Sequence, residues 1–168
     1  MKKVLIVSAT KGSNLKLAKD IYNILDGAIE KKCISLEDYD LPLFKSSDYD
    51  KVKSKYSKVI AKITNELVEA DGLIICAPEY NGSTPSIVTN TISWISVTTD
   101  YWRGAFLNKT GLICTHSGGP AIKYNISMKN QLEHLGMIVM PRYISVTSDN
   151  PINKINVEKI LKQFLKHL

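Results

Sequence analysis

A chain of 168 residues, 44% hydrophobic and 23% charged, fits a single soluble domain over residues 1–168 with one core. No apolar run approaches the roughly 20 residues needed to cross a bilayer, so membrane insertion is not expected. The net charge of +6 raises nucleic acid as a partner, yet no basic cluster is interleaved with stacking aromatics. The lysines instead lie along amphipathic segments as a solvated surface able to attract anionic dinucleotides or electron acceptors.

Val4–Val7 reads as a first strand. A secretory leader is the weaker reading, because this apolar run is short and meets Ser8, Thr10 and Lys11 at once. The polar loop 8–14 follows, with Ser13 or Asn14 as helix cap. Leu15, Ala18, Ile21, Tyr22 and Leu25 then recur at helical spacing until Gly27 ends the helix. Cys33–Leu36 is a short second strand, Tyr39–Phe44 a partly buried connection and Lys45–Lys51 a polar loop. Val52, Tyr56, Val59, Ile60, Ile63 and Leu67 mark one face of a long helix. The next strand is Gly72–Ala77, the most strand-like stretch in the chain. It runs into Pro78-Glu79-Tyr80-Asn81-Gly82, after which Ser83 or Thr84 can cap a helix that Pro85 opens.

That helix carries Ile87 to Trp94 and gives way to the polar-aromatic stretch Asp100–Arg103. Gly111–Thr115 is a fourth strand and His116-Ser117-Gly118-Gly119-Pro120 a turn at its end. Ile122, Ile126, Met128, Leu132 and Leu135 supply another helix, closed by Gly136. Met137–Met140 gives a fifth strand. Ile160, Leu161, Phe164, Leu165 and Leu168 face inward from a last helix over 155–168. The alternation implies an α/β fold, a doubly wound five-stranded parallel sheet with helices on both faces and strand order 2-1-3-4-5. In that order the ends of strands one, three and four lie side by side, and each is followed by one of the three polar, turn-rich loops. Ligands bind at such an edge.

The first loop offers backbone N–H groups at a helix start, hydroxyls from Ser8, Thr10 and Ser13, a tight turn at Gly12, and charge from Lys11 or Lys16. Such a helix start binds a phosphate monoester, with plain helix capping as the alternative reading. It is not a P-loop, because Gly-x-x-x-x-Gly-Lys-Ser/Thr is missing, and it lacks Gly-x-Gly-x-x-Gly. Neither a nucleophile–base pair nor a cluster of metal ligands is present. The cysteines, Cys33, Cys76 and Cys114, lie far apart and read as reduced and structural, which points to the cytoplasm.

Pro78-Glu79-Tyr80-Asn81-Gly82-Ser83-x-Pro85 resembles the flavin-binding loop of the NADPH-dependent FMN reductase family, whose fold is flavodoxin-like. Asn14-Leu15-Lys16-Leu17-Ala18 matches the family's Asn-x-x-Leu-Ala, while Ser8-Ala9-Thr10-Lys11 replaces its Gly-Ser-x-Arg turn. The resemblance implies bound FMN, with its phosphate at Ser8, Thr10, Lys11, Gly12, Ser13 and Asn14. The isoalloxazine would then touch the backbone of Glu79, Tyr80 and Asn81, with Pro78 stiffening the approach and Gly82 leaving room. The Glu79 carboxylate reads as a helix-terminus or subunit contact, and Tyr80 as an aromatic neighbour of the ring or a buried structural tyrosine. Ser117-Gly118-Gly119 would lie beside the ring and His116 at its margin. The helix after Pro120 would then direct its positive end at the ring. The implied activity is an FMN-dependent oxidoreductase taking hydride from NADPH or NADH and passing electrons to a small-molecule acceptor: a quinone, azo compound, metal oxyanion or flavin. The alternative is an FMN-binding electron carrier without pyridine-nucleotide activity. The resemblance also implies a homodimer or homotetramer, with Trp94 and Tyr101–Trp102 as candidate contacts; for Trp94, burial against the sheet is the competing reading.

Overall fold

The computed structural model describes residues 1–168. Its strands are β1 (Lys2–Ser8), β2 (Ile29–Ser35), β3 (Gly72–Cys76), β4 (Thr110–His116), β5 (Ile138–Val139) and β6 (Ile144–Val146). Its helices are α1 (Ser13–Ile24), α2 (Tyr49–Glu69), α3 (Ser86–Thr98), α4 (Ile122–His134) and α5 (Lys154–Leu165). All ladders are parallel, in the expected order β2-β1-β3-β4-β5. The sheet gains one strand that the pattern did not show. β5 pairs with the start of β4, and after Pro141 the chain returns as β6 to pair with its end. A proline has no N–H to give a ladder, so the fifth position is built from two short pieces.

β1, β3 and β4 are apolar on both faces because both faces are covered. One cluster packs Leu5, Leu73, Ile75 and Ile113 against α2, α3 and α4, through Ile63, Ile95 and Tyr124. The other packs Val4, Ile6, Ile74 and Leu112 against α1 and α5, through Ile21, Ile160 and Phe164. Gly136 ends α4 with φ +85°, and the bonds Gly136 N–H to Glu133 O and Met137 N–H to Leu132 O form a Schellman closure. Ile122 and Ile126, which mark this helix by their spacing, are exposed, whereas Met128, Leu132 and Leu135 are buried.

Helix starts differ from the sequence expectations in an informative way. The cap positions are Gly12 for α1, Pro85 for α3 and Ala121 for α4, none with a side-chain cap bond. Ser13, Asn14, Ser83 and Thr84 therefore do not serve as caps. Thr84 Oγ1 pairs with Ser127 Oγ at 2.8 Å instead, tying the loop to α4.

Trp94 is fully buried. Its Nε1–H donates to the Pro42 carbonyl at 2.7 Å, and Phe44 meets its ring edge-on at 5.2 Å. Trp94 is therefore buried within the chain, so its side chain makes no subunit contact, but it packs beneath Pro42 and Phe44 rather than against the sheet as the competing reading had it.

The far end of the sheet carries a half-buried cation. Lys109 Nζ donates to the carbonyls of Leu67 and Val68 at the end of α2. Burial pulls its ammonium down to about 8, with Asp71 opposing the shift. Between about 8 and the ordinary 10.5 the unfolded chain holds a proton that the folded chain releases. Stability therefore rises with pH through that window, and the full burial cost is present below it. Relative to Lys109→Met, wild-type stability is expected to gain about 1 kcal/mol between pH 7.5 and 9.5, discounted for solvent that still reaches the group. Urea titrations of both proteins at the two pH values measure the difference.

Candidate functional site

Ladder bonds continue one residue past the strands and fix where each loop begins. Ala9 N–H donates to Cys76 O at 2.9 Å, Ala77 N–H to Cys114 O at 3.1 Å, and Ser117 N–H to Val146 O at 3.2 Å. The loops after β1, β3 and β4 therefore leave one rim of the sheet together, and they enclose a cavity of about 530 Å³. That size lies within the usual range for small-molecule sites, although the lining is unusually polar.

Asn14 locks the first loop to the third. Its Nδ2 donates to the His116 carbonyl and its Oδ1 accepts from the His116 N–H, both at 2.9 Å, while the side chain is 1% exposed. Ser117 locks the third loop to the second, because its Oγ accepts from Glu79 N–H at 2.8 Å and pairs with Thr115 Oγ1 at 2.9 Å. The Glu79 carboxylate then reaches α4, where Oε2 accepts from Tyr124 N–H at 2.9 Å. Ala121 has no side chain able to cap that helix, so Glu79 supplies the missing acceptor from another segment. The Tyr124 N–H is thus taken by a carboxylate whose charge offsets part of the positive end expected of the helix after Pro120, while the N–H groups of Ile122 and Lys123 make no bond within the chain. The helix-terminus role for Glu79 is the one realised.

Tyr80-Asn81-Gly82-Ser83 is a tight hairpin turn. Asn81 and Gly82 have φ of +50° and +72°, and Tyr80 and Ser83 exchange backbone bonds of 3.0 and 3.2 Å. Positive φ at both central positions is what Asn-Gly provides. The turn lies along α4, so a Cβ on Gly82 would come within 3.1 Å of Lys123 Cδ. Tyr80 is 54% exposed and borders the cavity, which removes the buried structural reading.

Of the predicted site residues, Thr10, Lys11, Gly12, Ser13 and Asn14 line the cavity from the first loop, and Pro78, Glu79 and Tyr80 from the second. His116, Ser117 and Gly118 line it from the third. Ser8, Asn81, Gly82 and Gly119 do not line it. Ser8 is fully buried and spends its hydroxyl on the Thr10 carbonyl at 2.7 Å, so it shapes the loop from beneath. Asn81 and Gly82 form the outer tip of the hairpin.

Two lining residues were missed, Glu37 and Ser148. Glu37 follows β2, the strand beside β1, in a short 3₁₀ turn over Leu36–Asp38. Inspecting the end of every strand, rather than only three, would have found it. Ser148 follows β6, which was not foreseen.

At the start of α1, the N–H groups of Gly12 and Ser13 make no bond within the chain, as expected for the first turn of a helix. The Lys11 N–H donates to Glu37 Oε2 at 2.6 Å, and its ammonium pairs with Asp38 at 2.7 Å. A Cβ built on Gly12 or Gly118 meets nothing within 4 Å, so the cavity side of both is open. The arrangement offers backbone donors for an oxyanion, a rigid polar edge and an aromatic margin.

The fold and sequence have close counterparts among known proteins. The chain is 28% identical to the quinone reductase of Escherichia coli over 171 aligned positions, covering 98% of this chain and 87% of that one. A 56-residue stretch is 41% identical to 2-hydroxy-1,4-benzoquinone reductase from a Burkholderia species, covering 33% of this chain but only 28% of that protein. The solved structure of a flavoenzyme NAD(P)H:(acceptor) oxidoreductase from Paracoccus denitrificans superposes with a TM-score of 0.75 at 20% identity, covering 99% of both chains. The profile of NADPH-dependent FMN reductase matches residues 1–151. On that match, spanning all three loops and the strands that carry them, the chain belongs to the NADPH-dependent FMN reductase family.

Proposed function

We propose that this protein is an FMN-dependent NAD(P)H oxidoreductase that delivers electrons to a small quinone-like acceptor. Azo compounds, metal oxyanions and free flavin are further members of the acceptor class. The observation that carries the proposal is the convergence of three loops on one open cavity whose first wall is the unpaired N–H groups of Gly12 and Ser13 at the start of α1. FMN fits this wall by its phosphate, and the open face of Gly118 leaves space for a flat ring. When bound, FMN supplies the redox chemistry, taking a hydride equivalent from the nicotinamide and giving up electrons to the acceptor. The chain's own work is placement. Ser117 and Glu79 fix the second loop, Asn14 fixes the third, and Tyr80 presents an aromatic margin at the cavity mouth. No helix is long and apolar enough to cross a membrane, and the three free cysteines support a reducing, cytoplasmic setting.

Anaerobic stopped-flow mixing of the FMN-loaded protein with NADPH, and separately with NADH, tests the activity. Rapid loss of the flavin's visible absorbance with either nucleotide, restored by a benzoquinone, is the expected result. A loaded protein that bleaches only with dithionite would be an electron carrier.

A homo-oligomer is part of the same reading. Ile122 and Ile126 lie one turn apart on α4 and are 55% and 65% exposed, alongside the hairpin that carries Tyr80. A second copy of the chain is the proposed cover for this apolar face. Ile126→Asp is expected to reduce the mass measured by light scattering to that of a monomer. An unchanged mass would shift the contact to Tyr101 and Trp102, and Trp102→Ala would then dissociate it.

A further inference from the structure

Lys11 is the cation at the start of α1, yet two carboxylates already engage it. Its N–H is held by the Glu37 carboxylate at 2.6 Å and its ammonium by Asp38 at 2.7 Å. Glu37 also lines the cavity, next to the unpaired N–H groups of Gly12 and Ser13. A carboxylate on the same wall as those donors presents the same kind of oxygen that a phosphate would, carrying the same sign of charge.

We infer that Glu37 is a specificity residue that competes with the flavin phosphate for the α1 anion site. The effect is to hold FMN as an exchangeable ligand, favoured only weakly over the unphosphorylated flavin. This rests on the flavin reading above. A phosphate on the Gly12 and Ser13 N–H groups meets the Glu37 carboxylate on the neighbouring Lys11 N–H, so the carboxylate either stays and repels it or swings out and gives up that bond. The 3₁₀ turn carrying Glu37 is on the surface and its side chain is solvent-exposed, so the swing is cheap and the competition modest. Riboflavin has no phosphate and gains nothing from the displacement.

Glu37→Gln keeps the shape and an acceptor oxygen for the Lys11 N–H but removes the charge. Fluorescence titration of the intact protein with FMN and with riboflavin at low salt compares it with the wild type. The expected result is about tenfold tighter FMN binding in Glu37→Gln, with riboflavin binding unchanged within about twofold and the FMN gain shrinking as salt is raised. Asp38→Asn is expected to shift FMN in the same direction but less, because Asp38 meets only the outer ammonium. Equal or weaker FMN binding in Glu37→Gln would overturn the inference, as would an equal gain for riboflavin. If the wild type binds neither flavin, the flavin reading itself fails, and that outcome is distinct because it appears before any variant is compared.

Discussion

The Asn14→Ala variant is expected to lose about 2–3 kcal/mol of stability and to bind flavin roughly tenfold more weakly. Both ends of the Asn14 amide are committed to the His116 backbone, across more than a hundred residues of sequence. Alanine leaves the His116 N–H and carbonyl without partners at a half-buried position, and each costs about 1–3 kcal/mol if water does not replace the amide. The sum is placed toward the low end because His116 also borders the cavity, from which water reaches it. The loss extends beyond stability, because the amide is the direct bond that sets the first loop's distance from the third. A loosened gap enlarges the cavity that the ligand must span, and pre-organisation is lost. Asn14→Asp separates the two roles: it still accepts from the His116 N–H, but turns a carboxylate toward a carbonyl, so it should be at least as unstable as alanine. Chemical denaturation and flavin fluorescence titration read the two effects. An Asn14→Ala protein with wild-type stability and flavin affinity would show that the loops are held together elsewhere.

The parts of this molecule that were legible in sequence are those where a buried strand meets a turn. Leu73-Ile74-Ile75-Cys76 followed by Pro78 announces a doubly covered strand and a rigid exit, and β1 and β4 carry the same signature. Strand order follows from the spacing of those runs. The features that escaped depend on contacts between distant segments. Asn14 looks like a helix cap because its spacing suits one, but a tertiary partner, His116, captures its side chain. β6 escaped because three residues after Pro141, Arg142 and Tyr143 carry too short a pattern to show a period. β2 was read as only Cys33–Leu36 because its first half alternates with exposed Glu30 and Lys32 on an edge strand, which hid the strand and the Glu37 turn at its end. Ile122 and Ile126 keep helical spacing yet face outward, since periodicity identifies an apolar face without saying what covers it.

The Trp94→Ala variant is expected to be about 3–5 kcal/mol less stable, with a thermal midpoint lower by roughly 10 °C, while flavin affinity stays within about threefold of wild type. Trp94 lies at the centre of a strap formed by the segment after the 3₁₀ turn, Tyr39 to Phe44. Its indole donates to Pro42 O, its ring meets Phe44 edge-on and stacks with Tyr49 at 6.0 Å, and Asn90 holds the same segment. Asn90 donates to Pro42 O at 3.0 Å and accepts from the Phe44 N–H at 2.8 Å. Alanine removes the largest fully buried side chain in the chain and leaves a cavity between α3 and the strap. Trp94→Phe keeps most of the volume and loses only the bond to Pro42, so a cost of about 1–2 kcal/mol is expected. The affinity stays near wild type because none of the residues that line the cavity contacts Trp94 among these bonds and ring pairs; the cavity is built from the strand-end loops and the start of α1, whereas Trp94 packs under the strap. Were Trp94→Phe to dissociate an oligomer while leaving the unfolding midpoint unchanged, the side chain would be acting between subunits, and the burial described here would be wrong.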